Sequence, residues 1–252
     1  MTRIIGVVSG KGGVGKTTTV INLSASLMEF GKDVIAIDAD VKMSCLGLQL
    51  GMYYFPVTLN DVLKEKGKIH EALYIHSSGL RIIPASLSLT EVKLSRLKRI
   101  LKDPFLKDNI VFVDGPPGRE KNTLCILKAC PETLIVTTPD IPAITDAMKI
   151  ISTCDRTKTK PIGIVVNMYR NRDSNQISID EIESSSGLPV IGVIPEDKTV
   201  RKGIFRGIPA VVLNPYSSSS IAFKRIAASL VGEKYVPPRF SFIKRILGRF
   251  VK

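Results

Sequence analysis

Residues 4–18 read Ile-Ile-Gly-Val-Val-Ser-Gly-Lys-Gly-Gly-Val-Gly-Lys-Thr-Thr. An apolar run typical of a strand leads directly into the pattern G-x-x-x-x-G-K-[ST] at residues 10–17, and a helix-like stretch begins at Lys16. Glycines in such a loop let the backbone wrap closely around phosphates, while N–H groups and the positive end of the helix point at the anion. The stretch therefore predicts a phosphate-binding loop between a strand and a helix.

Two side chains of this loop are suited to a magnesium nucleotide. Lys16 would neutralise the β- and γ-phosphates, and the hydroxyl of Thr17 would ligate Mg²⁺. The rest of the predicted contact with the nucleotide consists of Gly12, Gly13, Val14, Gly15 and Thr18. A glycine-rich turn with an incidental lysine is the structural alternative, and the flanking strand and helix argue against it.

Short β-branched runs alternate with helix-like stretches along the whole chain. The strand-like runs lie at residues 4–9, 34–38, 80–84, 110–114, 134–138, 162–167 and 190–195. The helix-like stretches lie at residues 16–30, 91–102, 145–154 and 219–231. This alternation predicts an α/β fold with a mostly parallel sheet and helices on both faces. Because no linker or shift of composition precedes residue 232, residues 1–232 are predicted to form one domain.

Three carboxylates follow two of these runs, and the carboxyl ends of parallel strands meet in one crevice. Asp114 closes the run 110–114, and Asp38 and Asp40 lie at the end of the run 34–38. A magnesium nucleotide needs carboxylates near the metal and a group that positions the attacking water. We therefore predict that Thr17, Asp38 and Asp114 hold the metal, although each carboxylate is also suited to cap the helix that follows it.

The residues assembled so far resemble a known family. A second lysine, Lys11, precedes Lys16 in the loop, as in the deviant Walker A motif of the MinD/ParA ATPases, which are P-loop NTPases of the SIMIBI type. Asp-Ala-Asp at residues 38–40 and Asp-Gly-Pro-Pro-Gly at residues 114–118 resemble the switch I and switch II loops of that family. Further matches at residues 165–167 and 194–197 extend the resemblance over nearly the whole chain.

The resemblance implies roles that the residues alone do not fix. Lys11 would reach the phosphates of the other subunit in an ATP-dependent homodimer, and Asp40 would assist the attacking water, so that Lys11, Lys16 and Asp40 form the catalytic set. Slow hydrolysis of ATP with Mg²⁺ is the implied activity. The residues implied to hold adenine are Asn167, Pro195, Glu196 and Asp197. The guanine-reading pattern N-K-x-D is absent, with Asn-Met-Tyr-Arg at residues 167–170 in the corresponding region, which also favours ATP over GTP. An ordinary loop cation is the alternative interpretation of Lys11 taken alone.

The C-terminus carries a concentrated positive charge. The formal net charge is +13, and six basic residues fall within the last 19 positions with no acidic residue among them. At helical spacing, residues 239–252 separate a Phe, Ile and Leu face from a Lys and Arg face, which predicts an amphipathic helix in the plane of a membrane surface. Residues 233–238, with two prolines, are predicted to be a linker. A helix that packs on its own domain or on a partner protein is the alternative.

This tail also resembles the membrane-targeting helix of the MinD branch of the family. One tail would bind an anionic membrane modestly, whereas two tails in an ATP-bound dimer would gain roughly 10²- to 10⁴-fold in avidity. The implied protein is cytoplasmic, associates with the inner face of the cell membrane and positions division or polar machinery. A MinC-like or a MinE-like partner fits that role, and one sequence does not distinguish them.

Other functions within the same superfamily remain open. A ParA-type DNA segregation ATPase is compatible with the net charge, but the concentration of basic residues on an amphipathic tail favours a membrane over nucleic acid. An iron–sulfur carrier would present cysteine ligands at a dimer interface, whereas Cys125 and Cys130 lie in a helix-like stretch and are predicted to be buried thiols. A nucleotide-gated adaptor without hydrolysis is disfavoured by Asp40.

The sequence argues against a secreted, disulfide-bonded protein and against an integral membrane protein. The N-terminus lacks the apolar core of a signal peptide, and no C-x-x-C pair occurs among the four cysteines, so reduced cytosolic thiols are expected. No apolar run approaches the roughly 20 residues that a membrane-spanning helix needs, so the chain is not expected to be integral to a membrane.

Overall fold

The computed structural model describes residues 2–87, 92–118, 121–171 and 173–238 of the 252-residue chain. The amphipathic helix predicted for residues 239–252 lies outside the described residues. Among the described residues, no helix combines the length and the apolar character needed to cross a bilayer.

One eight-stranded sheet forms the centre of the molecule, in the order β3-β4-β2-β5-β1-β6-β7-β8. Its strands are β1 (Arg3–Ser9), β2 (Val34–Asp38), β3 (Tyr74–Ile75), β4 (Arg81–Ile83), β5 (Ile110–Pro117), β6 (Glu132–Thr137), β7 (Lys160–Tyr169) and β8 (Val190–Pro195). All pairings are parallel except the pairing of β3 with β4. The predicted mostly parallel α/β sheet is therefore confirmed.

Helices cover both faces of this sheet. They are α1 (Lys16–Glu29), α2 (Leu46–Gln49), α3 (Leu59–Leu63), α4 (Leu97–Ile100), α5 (Lys121–Ala129), α6 (Ile141–Thr157), α7 (Ile179–Ser186), α8 (Lys198–Arg206), α9 (Ala210–Leu213) and α10 (Ser218–Leu230). Successive strand residues point to opposite faces. Accordingly Phe112 packs in the core beneath α1 and α10, whereas Val111 and Val113 pack in the core beneath α5 and α6.

The predicted helix at residues 91–102 is wrong in its described part. A 3-10 turn (Leu94–Arg96) leads into the single turn α4, because the backbone of Lys93 is extended and no capping side chain precedes it. On the other side Pro104 restricts Asp103 to an extended conformation, which ends the helix early. Leu94 and Leu97 are still buried, so the apolar spacing predicted packing correctly but helix length incorrectly.

The described part of the predicted linker, residues 233–238, contains no helix or strand. Its first residues nevertheless contact the body of the protein. Glu233 pairs with Lys32 at 2.8 Å. The ring of Tyr235 lies 5.9 Å from the ring of Phe30, which follows α1 directly. The chain therefore leaves the domain beside the C-terminal end of α1.

Candidate nucleotide-binding site

The loop between β1 and α1 has the backbone that the sequence predicts. Gly15 has a φ of 91°, which an L side chain rarely adopts, and a Cβ there would lie 2.2 Å from Nδ2 of Asn167. A glycine is therefore required at this position for two independent reasons. The N-terminus of α1 has no side-chain cap, so its first N–H groups remain available to an anion.

Lys16 begins α1 and is 8% exposed. Burial lowers the pKa of this amine, and the nearby carboxylates Asp114 and Asp40 act in the opposite direction. Removing an ammonium group from water is costly unless a negative charge compensates it. A phosphate group bound at the loop would supply that charge.

Thr17 and Asp114 form the second part of the site. Thr17 Oγ1 donates to Oδ2 of Asp114 at 2.6 Å, whereas Oδ1 of Asp114 is buried and has no hydrogen-bond partner among the described residues. Burial, and then the charge of Asp38, raise the pKa of the Asp114 carboxyl to about 8. A buried carboxylate oxygen without a partner fits a cation, directly or through water.

The donor set around Asp114 also suits magnesium in particular. No group of three or more His, Cys, Asp or Glu side chains that could hold a metal occurs in the described ranges. Mg²⁺ is usually bound by one or two protein oxygens together with phosphates and waters rather than by a complete protein cage. Thr17 and Asp114 would hold it, and the metal would neutralise the charge of the phosphates.

Asp38 lies opposite Asp114 in the sheet, since the two residues are register partners of β2 and β5. Burial raises the pKa of its carboxyl, and both of its oxygens accept hydrogen bonds from the loop that follows β2. The donors are Ser44 Oγ at 2.8 Å, the N–H groups of Leu46 and Cys45 at 3.0 and 3.1 Å, and the N–H of Asp40 at 3.1 Å. Asp38 thus organises this loop, and its assignment as a metal ligand stays a prediction.

Asp40 is half-buried within the same loop. Its Oδ1 accepts the N–H of Met43 at 3.1 Å. Asp40 lies close enough to Lys16 for its charge to favour a higher pKa of that amine. This position is compatible with the predicted contact to an attacking water, which stays a prediction.

Lys11 pairs with a carboxylate outside its own loop. Its amine lies 3.7 Å from the carboxylate of Asp140, and its side chain is 51% exposed. Asp140 also caps α6, because its Oδ1 accepts the N–H of Ala143 at 3.0 Å. The structure therefore places Lys11 at the surface beside the phosphate-binding loop.

The residues predicted to hold the base lie at the C-terminal ends of β7 and β8, with Asn167 within β7, Pro195 the last residue of β8, and Glu196 and Asp197 directly after it. Asn167 Nδ2 donates to the carbonyl of Val14 at 2.8 Å, which ties the base region to the phosphate-binding loop. The N–H of Glu196 donates to the carbonyl of Tyr169 at 2.9 Å, so that Pro195 and Glu196 follow β7 closely. The carboxylate of Glu196 pairs with Arg170 at 2.6 Å.

Asp197 carries structural contacts instead of a free carboxylate. It caps α8 by accepting the N–H of Thr199 at 2.8 Å, and it accepts from Ser218 and Ser219 at the start of α10. Burial favours a higher pKa for this carboxyl, but these hydrogen bonds outweigh it and bring the pKa to about 2. Its predicted contact with adenine stays a prediction.

With this geometry established, comparison with known proteins identifies the family. Residues 5–210 match the profile of the CobQ/CobB/MinD/ParA nucleotide binding domain. The chain belongs to this family. The resemblance to MinD/ParA ATPases inferred from the two loop lysines and the switch-like motifs is thereby confirmed.

Three similar proteins refine the placement within the CobQ/CobB/MinD/ParA family. An uncharacterised ATP-binding protein of Methanocaldococcus jannaschii is 39% identical, over 100% of this chain and 96% of its own. The septum site-determining protein MinD of Pyrococcus horikoshii, solved with Mg-ADP, is 32% identical with a TM-score of 0.86, covering 97% of this chain and 99% of its own. The MinC:MinD cell division complex of Aquifex aeolicus gives 27% identity and a TM-score of 0.82, over 94% and 98%. The chain is a MinD/ParA-type ATPase.

The sequence did not predict two residues of the candidate nucleotide-binding site, Asp140 and Ser44. Asp140 pairs with Lys11, and Ser44 holds Asp38 while it also donates to the carbonyl of Ala85 at 3.1 Å. A signal for Asp140 does exist, because Asp followed by Ile141 and Pro142 is a typical helix start. Nothing in the sequence indicates the contact of Ser44.

Of the four cysteines, Cys45 adjoins this site, because its N–H donates to Oδ2 of Asp38 at 3.1 Å. Cys130 is buried as predicted, whereas Cys125 is only half-buried. Burial raises the pKa of the Cys130 thiol, which makes it a poor metal ligand.

Proposed function

We propose that this ATPase binds ATP with Mg²⁺, dimerises when ATP is bound and attaches to the inner face of the cell membrane through residues 239–252. The observation that carries the nucleotide chemistry is the arrangement of the buried Lys16 and Asp114 with the half-buried Thr17, in which one oxygen of Asp114 has no hydrogen-bond partner in the described part of the chain. That arrangement is suited to a phosphate and a divalent cation together, because each compensates a charge that burial makes costly.

Dimerisation with ATP is supported by Lys11. Its side chain is half-exposed and is held by one ion pair with the partly exposed carboxylate of Asp140. Exposed ion pairs contribute about 0–1 kcal/mol, so a phosphate of a second subunit competes for this amine at little cost. Slow turnover follows if Asp40 acts on water only after both subunits have closed around the nucleotide.

Membrane attachment is supported by the sequence of the tail. Residues 239–252 contain five basic and no acidic residues beside their predicted apolar face. A basic residue near an anionic leaflet contributes about 1 kcal/mol, and shallow burial of the apolar face adds to it. Two tails in one dimer bind with an effective concentration in the millimolar range, so nucleotide controls residence on the membrane.

The process served is positioning of division or polar machinery. The M. jannaschii relative has no stated process, whereas the P. horikoshii and A. aeolicus proteins are MinD proteins, and the latter is in complex with MinC. A MinC-like partner is therefore proposed ahead of a MinE-like activator.

Sedimentation with vesicles of phosphatidylglycerol and phosphatidylcholine tests this function. The protein should pellet with ATP and remain in solution with ADP, and deletion of residues 239–252 should abolish pelleting. Leu247→Gln, on the predicted apolar face, should weaken pelleting, whereas the matched change Ser241→Gln, on the predicted polar face, should not. Equal pelleting with ATP and ADP would refute nucleotide control. Salt-sensitive DNA binding that survives the deletion would indicate DNA segregation instead.

A further inference from the structure

Four large apolar side chains lie exposed on the segments that border one cavity: Ile75 lines it, Tyr53 and Tyr54 follow its wall residue Met52, and Phe205 precedes its wall residue Arg206. They are Tyr53 (69% exposed), Tyr54 (83%), Ile75 (67%) and Phe205 (90%), and we call them the rim. The cavity they flank has a volume of about 400 Å³, and Met52, Ile75 and Arg206 contribute to its walls. Clusters of large exposed apolar side chains on soluble proteins usually mark a contact with a partner or a membrane.

Two glycines bring the rim together. Gly51 and Gly207 have φ values of 68° and 66°, and a Cβ on Gly207 would lie 2.9 Å from the backbone nitrogen of Gly51. The loop after α2 thus touches the C-terminal end of α8 backbone to backbone. This contact brings the segment that contains Tyr53 and Tyr54 close to the end of α8 that contains Phe205.

The helix that carries Phe205 is strongly basic. Residues 198–206 include four lysine or arginine residues and no acidic residue. All four are exposed, namely Lys198, Arg201, Lys202 and Arg206. Arg201 also pairs with Glu196 at 3.5 Å. Exposed Tyr and Phe side chains beside Lys and Arg are typical of protein surfaces at the boundary between lipid and water.

The segment of one rim residue, Ile75, also approaches the part of the domain from which the tail departs. The turn that follows Ile75 approaches the last turn of α1, where a Cβ on Gly79 would lie 3.2 Å from the methyl group of Met28. Tyr235 of the linker packs on Phe30, two residues further along the chain. A membrane bound by the tail is thereby within reach of the domain surface near the end of α1 that the segment of Ile75 adjoins.

We propose that the rim and α8 form a second lipid contact, in which an anionic phospholipid headgroup enters the cavity beside Arg206 while Tyr54 and Phe205 enter the interfacial layer. A volume of about 400 Å³ falls within the usual range of small-ligand pockets, and a guanidinium is well suited to a phosphate. The inference rests on the membrane binding proposed above. It adds that the domain lies on the membrane in one fixed orientation.

The chain contains no tryptophan, so one substitution gives a specific reporter. The full-length variant Phe205→Trp, with ATP, should shift its emission to the blue on vesicles that contain phosphatidylglycerol, and lipids brominated in their acyl chains should quench it. The matched control Phe105→Trp, at an exposed aromatic outside the rim, should show neither effect. Pure phosphatidylcholine vesicles should leave both variants unchanged.

Affinity gives an independent readout without an added aromatic residue. The double change Tyr54→Ser with Phe205→Ser should weaken binding to phosphatidylglycerol vesicles about tenfold, which corresponds to about 1.4 kcal/mol. Phe105→Ser should leave the affinity unchanged. If wild-type protein pellets with ATP but the Phe205→Trp emission does not move, the rim faces solvent or a protein partner, and the inference is overturned while the tail mechanism stands. If wild-type protein does not pellet at all, both proposals fail.

Discussion

Substitution of Asp114 by asparagine tests how much free energy of unfolding the protein loses by burying this carboxyl. A carboxyl whose pKa is raised by burial from 3.8 to about 8 is protonated in the folded protein at pH 7 and ionised in the unfolded chain. Each pH unit across that gap costs about 1.4 kcal/mol, so the folded state loses on the order of 4 kcal/mol at pH 7. Asparagine removes this cost but places an unpaired amide at the position of Oδ1, which costs about 1–3 kcal/mol.

The expected net effect is that Asp114→Asn stabilises the nucleotide-free protein by about 1–3 kcal/mol at pH 7. The sign follows from proton binding: between 3.8 and about 8 the folded state holds a proton that the unfolded chain has lost. The free energy of unfolding of the wild type therefore falls as the pH rises through this window, and the variant lacks that part of the fall. Near about pH 4.5 the two proteins should be equally stable or the variant weaker.

Urea unfolding followed by circular dichroism, with EDTA and without nucleotide, measures this difference at both pH values. The Thr17 hydroxyl, which donates to Asp114 at 2.6 Å in the wild type, can still donate to the asparagine oxygen. A difference in stability therefore reports the change in charge rather than the loss of this hydrogen bond. A variant that is no more stable than the wild type at pH 7 would contradict burial as the cause of the raised pKa. The same variant should also lose the gain in ATP affinity that Mg²⁺ gives the wild type.

Three further predictions concern single side chains. Lys16→Ala removes the buried cation of the phosphate site and should weaken ATP binding by roughly 100-fold or more, measured by equilibrium dialysis. Asp40→Ala should keep ATP affinity within about threefold but cut phosphate release by roughly 10²-fold, and turnover at the wild-type rate would remove Asp40 from the mechanism. In the wild type the buried amine of Lys224 lies 2.7 Å from the carboxylate of Glu29. Glu29→Gln removes this counter-charge and should lower the free energy of unfolding by about 2 kcal/mol. Lys224→Met removes the buried charge itself and should lower the free energy of unfolding by less than about 1 kcal/mol. Equal decreases of the urea midpoint in Glu29→Gln and Lys224→Met would contradict an effect of the unpaired charge.

The phosphate-binding half of the site was predictable because its information is local. The placement of Gly15, Lys16 and Thr17 depends on the backbone of one loop and the start of one helix, which neighbouring residues determine, while their contacts with the nucleotide stay predictions. Asp38 and Asp114 were also predictable as neighbours, since each ends an apolar run and parallel strands bring such ends together. The distribution of apolar runs likewise predicted the sheet and its two covered faces.

The parts of the fold and the candidate site that the sequence did not predict depend largely on contacts between segments distant in sequence. Asp197 was assigned to the base by resemblance, but its hydrogen bonds to Ser218 and Ser219 join two helices that the sequence does not show to be adjacent. β3 is two residues long and lies at the edge of the sheet, which leaves almost no periodic pattern to detect. In α4 the apolar spacing survives while tertiary packing and Pro104 decide the length.

The pairing of β2 with β5 restricts how the length of the chain can vary. Asp38 and Asp114 stand side by side, and the N–H of Ala39 donates to the carbonyl of Asp114 at 2.9 Å. One residue inserted within β5 before Asp114 would turn that carboxylate to the opposite face of the sheet and away from Thr17. Insertions and deletions that leave a working ATPase must therefore fall outside these two strands, while the loops at the opposite end of the sheet can change length without moving the carboxylates.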